Sequence, residues 1–141
     1  MPPRFEYKKL YYYPHLKPAD IAIWERFIDK YPEAYNWCEY DVWVGSGPTF
    51  DTIVNPETGG DAKGLYKLKI DVVGHKNGAI DLIEVKPRAR LSALGQIRGY
   101  LALYVRDIKP NVTPRAVIIT DQLMPDMPDL TKRDNVTLFV A

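Results

Sequence analysis

Two neighbouring segments in the middle of the chain have the pattern of one β-hairpin, and this hairpin limits the folds open to the sequence. Residues 66–73 alternate polar and apolar side chains, as a half-buried strand does, and residues 79–86 alternate again. Between them lies the segment 74–78, which contains Asn77 and Gly78, a pair well suited to positive backbone φ angles. The sequence therefore predicts two antiparallel strands joined by a turn at 74–78.

A helix precedes this hairpin and another follows it. The first is predicted over residues 18–31, because proline is tolerated in a first helical turn and Pro32 prevents continuation. Its apolar stripe consists of Ile21, Trp24, Phe27, Ile28 and Tyr31. The second is predicted over residues 91–106, with an apolar stripe of its own.

Further strands are predicted over residues 40–45, 115–120 and 136–140, and a long loop over residues 46 to about 63. The element order is helix, three strands, helix, two strands. It indicates an α/β (α+β) fold with a central mixed sheet flanked by helices. We expect one domain over residues 1–141, with an irregular N-terminal arm at about 1–17.

Composition excludes some classes of protein. No apolar run approaches the roughly 20 residues needed to cross a bilayer, and the N-terminus lacks an apolar segment of signal-peptide type. The lone Cys38 cannot form an internal disulfide and is expected to fill the core. We therefore expect a cytoplasmic protein without membrane association. The formal net charge is +1, but residues 61–115 carry eleven Lys/Arg against five Asp/Glu, which permits a polyanionic partner.

Three side chains of the hairpin suggest chemistry. Glu84 and Lys86 are two residues apart on one strand and share a face, whereas Asp71 lies on the partner strand. Counted from a turn at 74–78, Asp71 lies nearer the turn than Glu84, so a bend or bulge would be needed to bring the carboxylates together. Two adjacent carboxylates, a backbone carbonyl and waters would form an oxygen site for Mg²⁺. Lys86 could then orient or deprotonate a water molecule and contact a phosphate.

These residues resemble the signature of the PD-(D/E)XK nuclease superfamily. Asp71 is followed, after twelve residues, by Glu84, Val85 and Lys86, while Gln96 and Tyr100 fit the QxxxY motif of its RecB-like and lambda-exonuclease-like branch. Ile70 stands where the signature often has proline. The predicted element order is similar to the restriction-endonuclease-like αβββαβ core of that superfamily.

The resemblance implies a metal-dependent nuclease that hydrolyses DNA phosphodiester bonds with Mg²⁺, for which Mn²⁺ can substitute. Its implied metal ligands are Asp71, Glu84, the Val85 backbone carbonyl and an acid of the first helix. Glu25, on the apolar side of that helix, is the preferred acid and Asp20 is the alternative. Gln96 and Tyr100 share a helix face and are implied to lie beside the active site.

Other assignments remain open at this stage. Arg88, Arg90 and Arg98 are candidates for binding DNA phosphates. His75 is expected to be a solvated turn residue and Asp121 a turn or capping residue. Endonuclease and exonuclease activity are both possible, as is an RNA-directed or junction-resolving enzyme. The alternative function is a catalytically inactive nuclease-fold module in nucleic-acid binding or virion assembly. The resemblance also suggests a phage origin, hence host cytoplasm or virion, and a homo-oligomer or a viral or recombination protein as a further partner.

Overall fold

The computed structural model describes residues 3–14, 16–46 and 68–141. They form one six-stranded sheet in which strand order follows chain order, with helices on both faces. The predicted loop from residue 46 to about 63 lies, after Ser46, outside the described residues. The elements are β1 (Phe5–Glu6), α1 (Pro18–Lys30), β2 (Trp37–Val44), β3 (Leu68–Lys76), β4 (Ala79–Arg88), α2 (Leu91–Ile108), β5 (Arg115–Gln122), α3 (Met127–Arg133) and β6 (Val136–Val140).

The sheet is mixed, as predicted. Strands β1 to β4 are antiparallel, whereas β4, β5 and β6 are parallel. The two parallel connections contain α2 and α3, because the chain must return to the same end of the sheet before each new strand. The α/β class and the predicted order of elements are thus confirmed.

Two short elements were not predicted. Strand β1 has only two residues, so it lies within the arm that was expected to be irregular. Helix α3 contains Pro128, a residue that usually interrupts helices. Proline is accommodated because it occupies the first turn of α3, where its missing N–H has no helical partner.

The hairpin turn is shorter than predicted. Only Asn77 and Gly78 form it, with φ angles of 49° and 88°, and Lys76 pairs with Ala79. Gly74 therefore lies inside β3 rather than in the turn. Its missing side chain makes room for an aromatic ring, since a Cβ at this position would lie 2.6 Å from the ring of Tyr35.

Each face of the sheet carries its own hydrophobic cluster. Helix α1 covers one face, where Trp24 and Phe27 are almost fully buried, and α2 covers the other through Ile97. Cys38 is buried beneath α1, as expected. Both helices are amphipathic, and within the described ranges no helix is long and apolar enough to span a membrane.

Candidate active site

Strand β4 presents Glu84 and Lys86 on the face covered by α2. Both share this face with Leu82, which belongs to the cluster beneath that helix. The Lys86 Nζ lies 3.3 Å from the Glu84 Oε1, and the Glu84 side chain is only 4% exposed. The prediction that the two side chains share a strand face is therefore confirmed.

Asp71 reaches the same place through the hairpin register. Lys76 pairs with Ala79 and the ladder runs to Val72 opposite Ile83, so its next step sets Asp71 opposite Glu84. Our expectation that Asp71 lies nearer the turn was wrong, because it assumed a five-residue turn where the chain uses two residues. No shift of register is required to bring the two carboxylates together.

The strands nevertheless bend at this position. On β2, Asp41 has a φ of 56°, and the ladder skips it: Tyr40 pairs with Val72 and Val42 with Ile70. On β3, Val72 packs beneath α1 whereas Ile70 packs beneath α2, so the strand exchanges faces around Asp71. The Asp71 Oδ2 accepts the backbone N–H of Val85 at 3.0 Å. The Asp71 carboxylate thus accepts a hydrogen bond from a backbone amide of β4, just beyond the point where regular β3–β4 pairing ends.

The local electrostatics disfavour two ionised carboxylates. Burial, together with the negative charge of Asp71, raises the pKa of Glu84 to about 8. Burial also raises the pKa of Asp71 to about 6, although the Val85 N–H and Lys86 act in the opposite direction. Without a bound cation, the pair therefore retains a proton near neutral pH more readily than free carboxyl groups would.

The structure brings Asp20, rather than Glu25, to this pair. The charge of Asp20 raises the pKa of Asp71, and burial raises that of Asp20 itself while Lys86 opposes the rise. Glu25 lies about 140° further round the helix and accepts the hydroxyl of Tyr13 at 3.0 Å. Our preference for Glu25 is therefore corrected.

Helix α2 carries Tyr100 near the carboxylates. Tyr100 is buried, and its pKa is raised to about 12. Burial is the main cause, and the negative charges of Glu84 and Asp71 add to it. Gln96 lies one turn earlier, with an exposed side chain. The structure thus places Tyr100 beside the acidic pair, whereas a contact of Gln96 with the site stays a prediction, as does a ligand role for the Val85 carbonyl.

The three arginines differ in their surroundings. Arg88 donates to the Gln122 side chain at 2.8 Å, and Arg90 is the N-cap residue of α2. Both are exposed at the end of β4 that carries Lys86. Arg98 instead forms an ion pair with Asp134 at 3.6 Å, which ties α2 to the end of α3. Arg88 and Arg90 are thus near the site in sequence and fold, while Arg98 already has an acidic partner.

Two other sequence assignments are wrong. His75 is not a solvated turn residue: it lies in β3, and its Nε2 is 2.6 Å from the Glu39 Oε1. Asp121 is not a turn or capping residue: it lies in β5, with an oxygen 3.1 Å from the Arg26 guanidinium. In both cases the partner is distant in the sequence, so local patterns carried no signal for it.

Comparison of the chain with protein-family models, with curated proteins and with solved structures found no match.

Proposed function

We propose that this chain is a metal-dependent nuclease that hydrolyses DNA phosphodiester bonds. The observation that supports the proposal best is one buried oxygen. The Glu84 Oε2 is inaccessible to solvent and, apart from a proton shared with the neighbouring Asp71 carboxyl, has no hydrogen-bond donor among the described residues. Buried carboxylate oxygens normally have partners, because leaving a buried polar group unsatisfied costs about 1–3 kcal/mol, and more for a charged group.

A divalent cation between Glu84 and Asp71 would satisfy that oxygen. It would also replace the proton that the raised pKa values hold on the pair. Lys86 neutralises only one of the two charges and approaches the other oxygen, Oε1, of Glu84. The local charge balance therefore favours one additional cation.

The donor set fits Mg²⁺ better than zinc. It consists of carboxylate oxygens, whereas histidine and cysteine take no part in it. Among the described residues no three His, Cys, Asp or Glu side chains form a ready metal cage. Mg²⁺ is usually bound by one or two carboxylates and keeps several waters, so Asp71 and Glu84 with the Val85 carbonyl are sufficient protein ligands. Mn²⁺, with the same preference for oxygen ligands, can substitute.

A bound Mg²⁺ would supply Lewis acidity, lowering the pKa of a water and stabilising charge on phosphate oxygens. The chain's own residues supply the rest. Lys86, whose side chain is 36% exposed, can donate to that water or to a phosphate oxygen. Tyr100 lies on α2, near enough for the charges of Glu84 and Asp71 to raise its pKa. Asp20 adds a third negative charge on the α1 side.

The test is cleavage of linear, circular and branched DNA with Mg²⁺ or Mn²⁺. We expect metal-dependent cleavage by the natural chain and its loss in a double variant, Glu84→Ala with Lys86→Ala. The matched control combines Glu33→Gln with Lys132→Ala, two exposed residues outside the site, and should cleave normally. Cutting of the circular substrate would identify an endonuclease.

A second readout separates the site from the reaction. We expect Mn²⁺ to bind the natural chain and the control, but to bind the Glu84→Ala, Lys86→Ala variant at least tenfold more weakly. DNA binding without metal-dependent cleavage in any protein would contradict the proposal and favour the non-catalytic nuclease-fold module.

A further inference from the structure

A cleft of about 720 Å³ opens beside strand β2, next to the candidate active site. Its size lies within the range typical of pockets for small molecules. Two short segments of the arm, the outer part of β2 and the end of α2 form its walls. Its lining includes Arg4, Trp37, Glu39, Trp43, His75 and Tyr104.

Two elements connect this cleft to the acidic pair. Asp41 lines the cleft, and its chain neighbours Tyr40 and Val42 pair with Val72 and Ile70, on either side of Asp71. On α2, Tyr104 lines the cleft one helical turn, about 5.4 Å, beyond Tyr100. The cleft and the candidate site thus use neighbouring positions of β2, β3 and α2.

The polar group of the cleft is a carboxylate that can accept further hydrogen bonds. The Glu39 Oε1 contacts the His75 Nε2 at 2.6 Å, and each side chain is 14% exposed. The Glu39 Oε2 receives no hydrogen bond from the described residues. Since an ionised carboxylate accepts and cannot donate, a ligand that fits here must bring N–H or O–H donors.

The remaining walls are largely aromatic and carry positive charge. The rings of Trp37 and His75 stack at 3.6 Å and 5°, and the Arg4 guanidinium lies 4.2 Å from the Trp37 ring centre. Lys69, which lies outside the lining, is 4.4 Å from the ring centre of Trp43. The two cations disfavour a positively charged ligand and suit one that carries phosphate.

We propose that this cleft is a nucleobase site that selects guanine. Guanine has two adjacent N–H donors on its Watson–Crick edge, and both can be accepted by the Glu39 carboxylate between aromatic walls. Adenine and cytosine offer one such group on that edge, and thymine offers one flanked by carbonyls. The base could come from a single strand or from a free nucleotide. That the base belongs to a DNA strand rests on the proposed function, whereas recognition of the base itself does not.

The experiment measures binding in EDTA, so that neither metal nor cleavage is involved. The probes are an eight-residue thymidine strand, the same strand with one central guanine or one inosine, and free dGMP. Inosine lacks the 2-amino group and therefore loses one of the two N–H donors. We expect the guanine strand to bind about tenfold tighter than the thymidine strand, with inosine in between, because a bidentate contact contributes a factor of this size.

A Glu39→Gln variant should reduce this guanine preference to less than twofold, since an amide offers one acceptor in place of two. Glu33→Gln, which changes an exposed acid away from the cleft, is the matched control and should retain it. The imidazole NMR signals of His75 give a second readout in the unaltered protein. They are simple to assign because the chain has only two histidines. They should shift with the guanine strand and remain in place with thymidine.

Saturable binding of dGMP with the same selectivity would identify free nucleotides as a ligand. Selectivity confined to the strands would identify a strand base. Equal binding of the guanine and thymidine strands, unmoved His75 signals, or a preference that survives Glu39→Gln would overturn the inference. None of these results bears on cleavage, so the proposed nuclease activity can fail or succeed separately.

Discussion

Replacing Glu84 by glutamine should make the metal-free protein more stable at alkaline pH. Burial and the charge of Asp71 raise the pKa of Glu84 from 4.5 to about 8 in the folded chain. An acid whose folded pKa is raised binds its proton more tightly in the native state, so stability is fully present below the unfolded pKa and falls as pH rises through the folded pKa. The free energy of unfolding should therefore decrease between about pH 5 and pH 9.

The size of this loss follows from the shift. One pKa unit corresponds to about 1.4 kcal/mol, so a rise from 4.5 to about 8 sets an upper limit of about 5 kcal/mol. The raised pKa of Asp71 arises partly from the same repulsion, so we do not add a contribution from Asp71 to this limit. We expect about half of the limit, 2–3 kcal/mol, because Glu84→Gln also removes the partner of Lys86. For a chain of this length, that corresponds to roughly 5–10 °C in the midpoint of thermal unfolding.

The assay is thermal unfolding followed by circular dichroism in EDTA at pH 5 and pH 9. Glu84→Gln should match the natural chain within about 1 kcal/mol at pH 5 and exceed it by 2–3 kcal/mol at pH 9. Glu33→Gln is the control and should follow the natural chain at both values. A natural chain that is as stable at pH 9 as at pH 5, or a variant that loses stability in parallel with it, would refute the reasoning.

Three substitutions test other contacts by chemical denaturation. Arg115→Ala removes both hydrogen bonds from the guanidinium to the buried Asp81, at 3.0 and 2.6 Å, and should lower the free energy of unfolding by about 3 kcal/mol. A decrease below about 1 kcal/mol would mean that Asp81 is solvated. Gly74→Ala should cost at least about 2 kcal/mol, since its Cβ would lie 2.6 Å from the Tyr35 ring, and an unchanged stability would disprove that packing. Thr120→Val removes a fully buried hydroxyl that accepts one backbone N–H and should lower the free energy of unfolding by about 2 kcal/mol. Thr120→Ser keeps the hydroxyl and should recover at least half of this decrease. Equal decreases in both variants would exclude the hydroxyl as the cause.

Local periodicity was sufficient to predict the order of the two long helices and the five longer strands, but not β1 or α3. Glu84 and Lys86 share a face whatever the rest of the fold does, because side chains alternate along any strand. Asp71 was harder to place, since its position depends on the length of the turn. Asn77 and Gly78 alone form that turn, Gly74 and His75 continue the strand, and the ring of Tyr35, distant in sequence, packs over Gly74.

The choice of the helix acid failed for a related reason. The stripe that α1 buries is centred on Ile23, Trp24 and Phe27 rather than on Ile21 and Trp24. This small rotation puts Asp20, which precedes Ile23 and Trp24 by one turn, on the buried side. A signal was therefore available in the spacing, but only the packing of α1 on β4 and β5 decides which stripe is buried.

Partners that are far apart in the sequence gave no signal at all. Glu39 and His75 meet across β2 and β3, and Asp81 meets Arg115 across β4 and β5. Each pair follows from the register of neighbouring strands, which a single sequence does not fix.

The proposed nuclease depends on a metal held by Asp71 and Glu84. The most direct measurement is a Mn²⁺ titration in which bound metal, by electron paramagnetic resonance, and the cleavage rate of a linear duplex are recorded on the same samples. We expect bound Mn²⁺ and cleavage to rise together with one midpoint, and Asp71→Asn to weaken both at least tenfold. Cleavage that persists in EDTA, or Mn²⁺ binding that Asp71→Asn leaves unchanged, would contradict it.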